Sequence, residues 1–293
     1  MQIAVVGARG QLGAAVAQEF AGAHDVVPLT HEDLDVTRDA DVAAAMDRLR
    51  PDAIINCTGY NDVDGAEDRP VDALNLNAFA VRALARAAVD LDAVLVHFST
   101  DFVFDGTASM PYSEDDRPNP RSVYATSKLL GEWFAEDAPK RFVLRVESLF
   151  GRAPGGRPAK GSVAGIVKTL AAGGEPRVFE DRTISPTYVI DAAWATRRLL
   201  ETHAAYGVYH CVNSGHGTWL ELARELARHL DVEPRFVPVR LRDTPLRAER
   251  PLYCALSNDK LTASGIPMPA WQDAVRRYSA SLRDELAHEL PNR

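Results

Sequence analysis

The chain opens with a short apolar run, Ile3 to Val6, and follows it at once with glycines at positions 7, 10 and 13. No other stretch constrains the fold so tightly. An apolar, partly β-branched run of this kind reads as a buried parallel strand. The glycines then form a tight turn, and residues 11–20 read as an amphipathic helix. Glycine lets the backbone approach a ligand closely, and the helix that follows offers unpaired N–H groups to an anion. Strand, turn and helix together mark a diphosphate site framed by Gly7, Gly10 and Gly13. The spacing is G-x-x-G-x-x-G rather than G-x-G-x-x-G, so taken alone it also fits an ordinary strand–helix turn.

The alternation continues. Further strands are expected at 26–29, 53–56, 94–98 and 142–146, and helices at 39–49, 70–89 and 123–135. Pro70 suits the first turn of its helix, where a missing N–H costs little. Alternating strands and helices build an α/β fold with a doubly wound, Rossmann-like parallel sheet. Beyond Val146 the pattern loosens. Residues 151–161 read as a Gly-, Pro-, Arg- and Lys-rich loop, and 250–257 as an extended segment. Helices are expected at 162–172, 191–202, 219–230 and from 271, with short strands at 177–179 and 208–211. The expected division is a dinucleotide-binding domain over 1–150, with 187–212 returning to it. A smaller, substrate-binding α+β lobe would come from 151–186 and 213–293.

At 293 residues the chain can bury a large core and exceeds a typical single domain. Its formal net charge of −8, with no basic run, argues against nucleic-acid binding. Cys57, Cys211 and Cys254 are odd in number and lack C-x-x-C spacing, as expected of reduced thiols in a cytoplasmic protein. The opening apolar run is too short for a signal peptide, and no stretch approaches a membrane span.

In a doubly wound sheet, ligands bind beyond the carboxyl ends of the strands. Asn56 to Tyr60, Ser99-Thr100-Asp101 and Glu147-Ser148 fall at such ends. Tyr124 and Lys128 are four apart on an expected helix, hence on one face. A lysine beside a phenol favours the phenolate and makes the phenol a better proton donor or acceptor near neutral pH. Alone, such a pair also fits a half-exposed surface contact.

Gly7-x-x-Gly10-x-x-Gly13, Thr100 and Tyr124-x-x-x-Lys128, in that order, resemble an extended short-chain dehydrogenase/reductase. Ser99-Thr100-Asp101-Phe102 through Gly106, Ser185-Pro186-Thr187-Tyr188, Gly207 through Asn213, and Arg250-Pro251-Leu252-Tyr253 narrow the resemblance to the dTDP-4-dehydrorhamnose reductases, over residues 1 to about 278. That resemblance implies reduction of the 4-keto group of a nucleotide-linked 4-keto-6-deoxy sugar, in deoxysugar or polysaccharide synthesis. Tyr124 would protonate the carbonyl oxygen as hydride arrives. Thr100 would orient that oxygen, and Lys128 would lower the phenol pKa and bind the nicotinamide ribose. Such a donor set is needed because the carbonyl becomes alkoxide-like as hydride adds. An epimerase, or a reductase of a different nucleotide sugar, is an alternative. So is a non-catalytic NADP-binding subunit of the kind that regulates methionine adenosyltransferase.

The resemblance also implies cofactor contacts at Gly7, Arg9, Gly10, Gln11, Leu12, Gly13, Asp35, Val36, Cys57, Thr58, Gly59, Tyr124 and Lys128. Asp35 is open to a second reading as a solvated loop acid, and Asn77 to one as a helix-packing residue. Residues 29–31 end the second strand without the usual ribose-binding acid, while Arg9 could meet a 2′-phosphate. The expected cofactor is NADPH or NADH, with Arg9 tilting the reading to NADPH. A homodimer, and a role for Mg²⁺ as in some relatives, carry no assigned residues.

Asn61, Val63, Phe102 and Ser148 are the expected sugar contacts. Three depart from the family pattern: Asn61 stands for a threonine, Phe102 for a tyrosine, and Glu147-Ser148 for Ser-Trp. Lost phenol and indole groups can redirect substrate choice. Arg182, Arg250 and Lys260 are diphosphate candidates by charge. Glu114-Asp115-Asp116 reads as a solvated turn. His31, His203, His216 and His229 read as surface or capping residues, and Trp194 and Trp219 as packing at lobe contacts.

Overall fold

The computed structural model describes residues 1–153, 161–202 and 204–289. Most of the loop expected at 151–161, and His203, lie outside them. The first five strands are β1 Gln2–Val6, β2 Asp25–Leu29, β3 Ala53–Asn56, β4 Val94–Thr100 and β5 Arg141–Val146. Four short strands follow: β6 Leu149–Phe150, β7 Arg177–Phe179, β8 Thr183–Ile184 and β9 Thr187–Tyr188. Then come β10 Gly207–His210, β11 Gly217–Thr218 and β12 Val237–Val239. The helices are α1 Gln11–Phe20, α2 Asp39–Leu49, α3 Val63–Asp68, α4 Pro70–Leu74, α5 Ala80–Asp90, α6 Val123–Ala135, α7 Ser162–Ala171, α8 Val189–Glu201, α9 Trp219–Leu230, α10 Asp259–Ala263 and α11 Trp271–Glu289.

Six strands form one parallel sheet in the order β10-β5-β4-β3-β1-β2. Its strands are apolar on both faces because helices cover both. On β1, Ile3 and Val5 pack with Leu12 and Phe20 of α1, while Ala4 and Val6 pack with Met46 of α2 and Leu84 of α5. β3, β4 and β5 alternate in the same way, as the two-residue period of a strand demands. The sheet order reverses between β1 and β3, which places a crevice at the switch point.

A third apolar cluster belongs to the later part of the chain. Ile166 and Leu170 of α7, Leu222 of α9 and Val275 of α11 close around Val178 and Ile184. Phe150 stacks on Tyr188 with ring centroids 5.4 Å apart, at the edge of this cluster. Trp194 packs on the α1–α8 side of the main core, and Trp219 is buried in the third cluster, which also holds Phe150 and Tyr188.

The helix expected at 70–89 is divided. α4 gives way to a π-helical turn, Asn75–Phe79, before α5 begins. The partner explains the widening: a Cβ on Gly131 of α6 would lie 2.1 Å from the Asn77 carbonyl oxygen. The close approach of α6 and the wide turn fix each other, and such turns frequently sit at functional sites. α3 was not anticipated; Asp62 caps it by accepting from the Gly65 N–H at 2.9 Å.

Candidate active site

The end of β1 meets the end of β3 at the switch point. Gly7 has φ +83°, and a Cβ there would fall 3.0–3.1 Å from Thr58 and the Cys57 backbone. A Cβ on Gly13 would lie 2.3 Å from the Gly7 carbonyl oxygen, so the third glycine is what lets α1 pack onto the turn. The N-terminus of α1 therefore opens onto the crevice with its N–H groups free of side-chain caps. A dinucleotide diphosphate fits this cradle of backbone donors and missing Cβ atoms. Gln11 ties the turn to the far side of the site by donating to the Gly151 carbonyl at 2.6 Å. Leu12 is buried in the core, so only its backbone is available to a ligand.

Arg9 is exposed and pairs with Glu32 just past β2. The acid missing from the end of that strand is thus supplied slightly later, and it holds the arginine. Asp35 is exposed and accepts from the Thr37 N–H at 3.0 Å and its hydroxyl at 2.7 Å. Val36 is buried against the core. The Val36 side chain therefore packs inward rather than toward the crevice.

Asn56 holds the Cys57–Gly59 run by accepting from the Thr58 N–H at 3.0 Å and hydroxyl at 2.6 Å. Asn77, projecting from the π turn, accepts from the Tyr60 N–H at 2.8 Å and donates to the Ser127 hydroxyl at 2.9 Å. It pins this loop to α6, which is the packing reading. Burial pushes the Cys57 thiol up, so it stays protonated.

Thr100 ends β4, and Tyr124 and Lys128 lie on α6, whose start is capped by Ser122 accepting from the Ala125 N–H at 3.2 Å. All three are buried, Tyr124 at 7% exposure and Lys128 at 4%. The expected electrostatics are altered by that burial. Loss of solvation dominates and pushes the Tyr124 phenol up to about 12, with Thr100 and Arg250 acting to lower it and Asp101 to raise it. Lys128 is brought down to about 8, again by burial, against the pull of Glu132. Its ammonium donates to the Phe98 carbonyl at 2.6 Å. Within the protein, Lys128 is therefore tied to β4, and the lowering of the phenol falls to Thr100 and Arg250.

Phe102, Val63 and Tyr60 pack around Tyr124. Asn61 is exposed beside Gly59, and Ser148 sits between β5 and β6 with φ +45°. Arg182 and Arg250 converge on Phe102, at 5.8 and 5.9 Å from its ring centroid. Lys260 is elsewhere: it donates to the Val208 carbonyl at 2.7 Å and lies over the Tyr209 ring. Glu114 is not the solvated acid expected, because it is half-buried and accepts from the His210 N–H at 2.7 Å.

Asp101 and Glu147, which the sequence places only at separate strand ends, meet Cys254 directly behind Thr100. Carboxyl oxygens of Asp101 and Glu147 and the Cys254 sulfur lie within 4.8 Å of one another, all buried. It is the only such set of candidate metal ligands among the described residues. It does not suit Mg²⁺, which wants oxygen ligands, since one position is a thiol and the Arg182 guanidinium donates to that sulfur at 3.4 Å.

The glycine turn at the first strand and the sheet order place the chain among Rossmann-like short-chain dehydrogenase/reductases. Within that class the chain belongs to the RmlD substrate binding domain family, whose model matches residues 1–283. A probable dTDP-4,6-dihydroxy-2-methyloxan-3-one 4-ketoreductase of Streptomyces antibioticus is 36% identical, over 99% of this chain and 98% of its own. A dTDP-4-dehydrorhamnose reductase of Mycobacterium tuberculosis is 37% identical, over 94% of this chain and 91% of its own. The crystal structure of dTDP-4-dehydrorhamnose reductase from Bacillus anthracis in complex with NADP matches with a TM-score of 0.90 and 31% identity, over 96% of this chain and 99% of that one. No helix among the described residues is long and apolar enough to cross a membrane.

Proposed function

We propose that the protein is an NAD(P)H-dependent reductase of the 4-keto group of a nucleotide-linked 4-keto-6-deoxy sugar, serving deoxysugar synthesis. The observation that carries this is the burial of Tyr124 and Lys128 on α6, which packs against β4, whose carboxyl end carries Thr100. The names of its relatives support the same chemistry. A bound reduced nicotinamide supplies hydride. Tyr124 gives its proton to the carbonyl oxygen, and the Thr100 hydroxyl orients that oxygen and meets the charge that develops on it. Lys128 anchors the nicotinamide ribose. Backbone groups of Gly7, Gly10, Gln11, Leu12 and Gly13 would hold the diphosphate, Arg9 and Asp35 would serve the adenosine, and Cys57 to Gly59 the nicotinamide ribose.

Residues 151–186 and 213–293 form the substrate lobe in this reading, with 187–212 returning to the dinucleotide domain. Asn61, Val63, Phe102 and Ser148 face the sugar, and Arg182 and Arg250 the nucleotide diphosphate. A homodimer is an accompanying expectation, checked by light scattering. The test of function is a panel of dTDP-, GDP- and UDP-linked 4-keto sugars, followed by NADPH absorbance. Stoichiometric NADPH loss with a dTDP-linked 4-keto-6-deoxy sugar is expected. Sugar interconversion with the cofactor retained would mark an epimerase. NADPH binding without oxidation on any member would mark a regulatory subunit.

A further inference from the structure

Two acids lie behind Thr100 with one cation beside them. Asp101 and Glu147 are 3% and 2% exposed. Asp101 Oδ1 accepts from the Thr100 hydroxyl at 2.9 Å, and Glu147 Oε2 accepts from the Ser185 N–H at 2.6 Å. Their other oxygens, Asp101 Oδ2 and Glu147 Oε1, are buried and meet no hydrogen-bond partner among the described residues. Arg182 is the neighbouring cation, and it already donates to the Pro251 carbonyl at 3.0 Å and to Cys254. The remaining titratable groups facing the pair are Cys254, Tyr124 and Tyr253, with Arg250 beyond Tyr124. Two carboxylates ionised together here would repel each other without solvation, and one guanidinium offsets only one of them. Burial accordingly pushes Asp101 up to about 6 and Glu147 well above the usual carboxylate range.

We propose that Asp101 and Glu147 share one proton and act as a buried proton store that recharges Tyr124 through the Thr100 hydroxyl. This rests on the reductase reading above. When the Tyr124 O–H breaks and the product O–H forms, a phenolate remains in a buried site. Thr100 passes its hydroxyl proton to that oxygen, re-forming the Tyr124 O–H. It takes a proton from the acid pair, re-forming its own O–H. The pair, left as two carboxylates beside Arg182, regains a proton from water. One proton is drawn from solvent for each hydride added, so the turnover balances. The hydroxyl can serve in both directions because it carries one donor and two acceptor positions. Asp101 and Glu147 act through Thr100 and are positioning residues. Glu147 also lies where the chain leaves the rhamnose-reductase pattern.

Glu147→Gln keeps an acceptor for the Ser185 N–H but removes the exchangeable carboxyl proton. Infrared spectroscopy of the wild type near neutral pH should show the C=O band of a protonated carboxylic acid, shifted in D₂O and absent from Glu147→Gln. On an accepted 4-keto sugar, Glu147→Gln should complete its first turnover at a near wild-type rate. Its steady-state kcat should then fall about tenfold or more, with KM unchanged and a larger solvent isotope effect. Wild-type kcat and pH profile in that variant would overturn the relay. If the variant shows no cooperative melt, Asp101→Asn and the wild-type band carry the test. A missing band overturns the proton store whatever the enzyme turns over. Absence of turnover on every sugar overturns the reductase reading, and the relay with it, whatever the band.

Discussion

The ring of Phe102 meets that of Tyr124 edge to face, with centroids 5.6 Å apart and planes at 86°. The residue that departs from the family's tyrosine thus touches the residue assigned to proton transfer, and it carries Arg182 and Arg250 on the same ring. A hydroxyl added here would offer the sugar a hydrogen bond without emptying the packed space. Phe102→Tyr should shift the ratio of kcat/KM between two 4-keto sugars by about tenfold or more, with a thermal midpoint near that of the wild type. The ratio across the sugar panel is the measurement; an unchanged ratio would remove Phe102 from the sugar site.

Arg9, in the glycine turn after β1, and Glu32, just past β2, form an exposed pair. A 2′-phosphate would have to draw Arg9 from Glu32. Arg9→Ala should raise KM for NADPH about tenfold and leave KM for NADH nearly unchanged, the loss of one charge-assisted contact. Glu32→Gln should lower KM for NADPH. Initial rates with both cofactors decide it, and equal effects on the two would contradict the role of Arg9.

Arg145 and Glu132 form a buried pair with two parallel bonds, Nε to Oε1 at 2.9 Å and Nη2 to Oε2 at 2.7 Å. The Ser99 hydroxyl donates to the same carboxylate, which ties α6 to the strand end that carries Thr100. Glu132→Gln leaves the guanidinium buried without its counter-charge. Urea unfolding should show a loss of about 3–5 kcal/mol; a loss below about 1 kcal/mol would contradict this account of the pair.

His210 is fully buried, with Nδ1 3.1 Å from the carbonyl oxygens of both Tyr112 and Ser257. Burial first, then the charge of Arg145, lowers it to about 3. The unfolded chain takes up this proton near pH 6.5 and the folded chain does not. The stability from neutral His210 is therefore full above that pH and lost as pH falls toward the folded value. The slope is about 1.4 kcal/mol per pH unit. His210→Gln should flatten the acid limb by that slope. Urea titrations at about pH 7 and about pH 5 test it; identical limbs would contradict it.

The sheet was legible because each strand alternates between two covered faces, and α6 because Ser122 caps it where its apolar pattern starts. The π turn was not, since its cause is Gly131 on another helix rather than anything within residues 70–90. Tyr124 and Lys128 were legible as a helical pair, but their burial was not, and burial rather than any effect of one on the other dominates both pKa shifts. Asp101 and Glu147 end different strands, and only the register of the sheet and the 250–256 segment bring them together with Cys254. Glu114 looked solvated because its neighbours are acidic; its partner is a backbone N–H on β10.

The central claim is that Tyr124 delivers the proton when the 4-keto group is reduced. NADPH oxidation by wild type and Tyr124→Phe, with a dTDP-linked 4-keto-6-deoxy sugar, tests it most directly. The account predicts a fall in kcat of about a hundredfold to ten-thousandfold with NADPH binding intact. Turnover at the wild-type rate in Tyr124→Phe would contradict it.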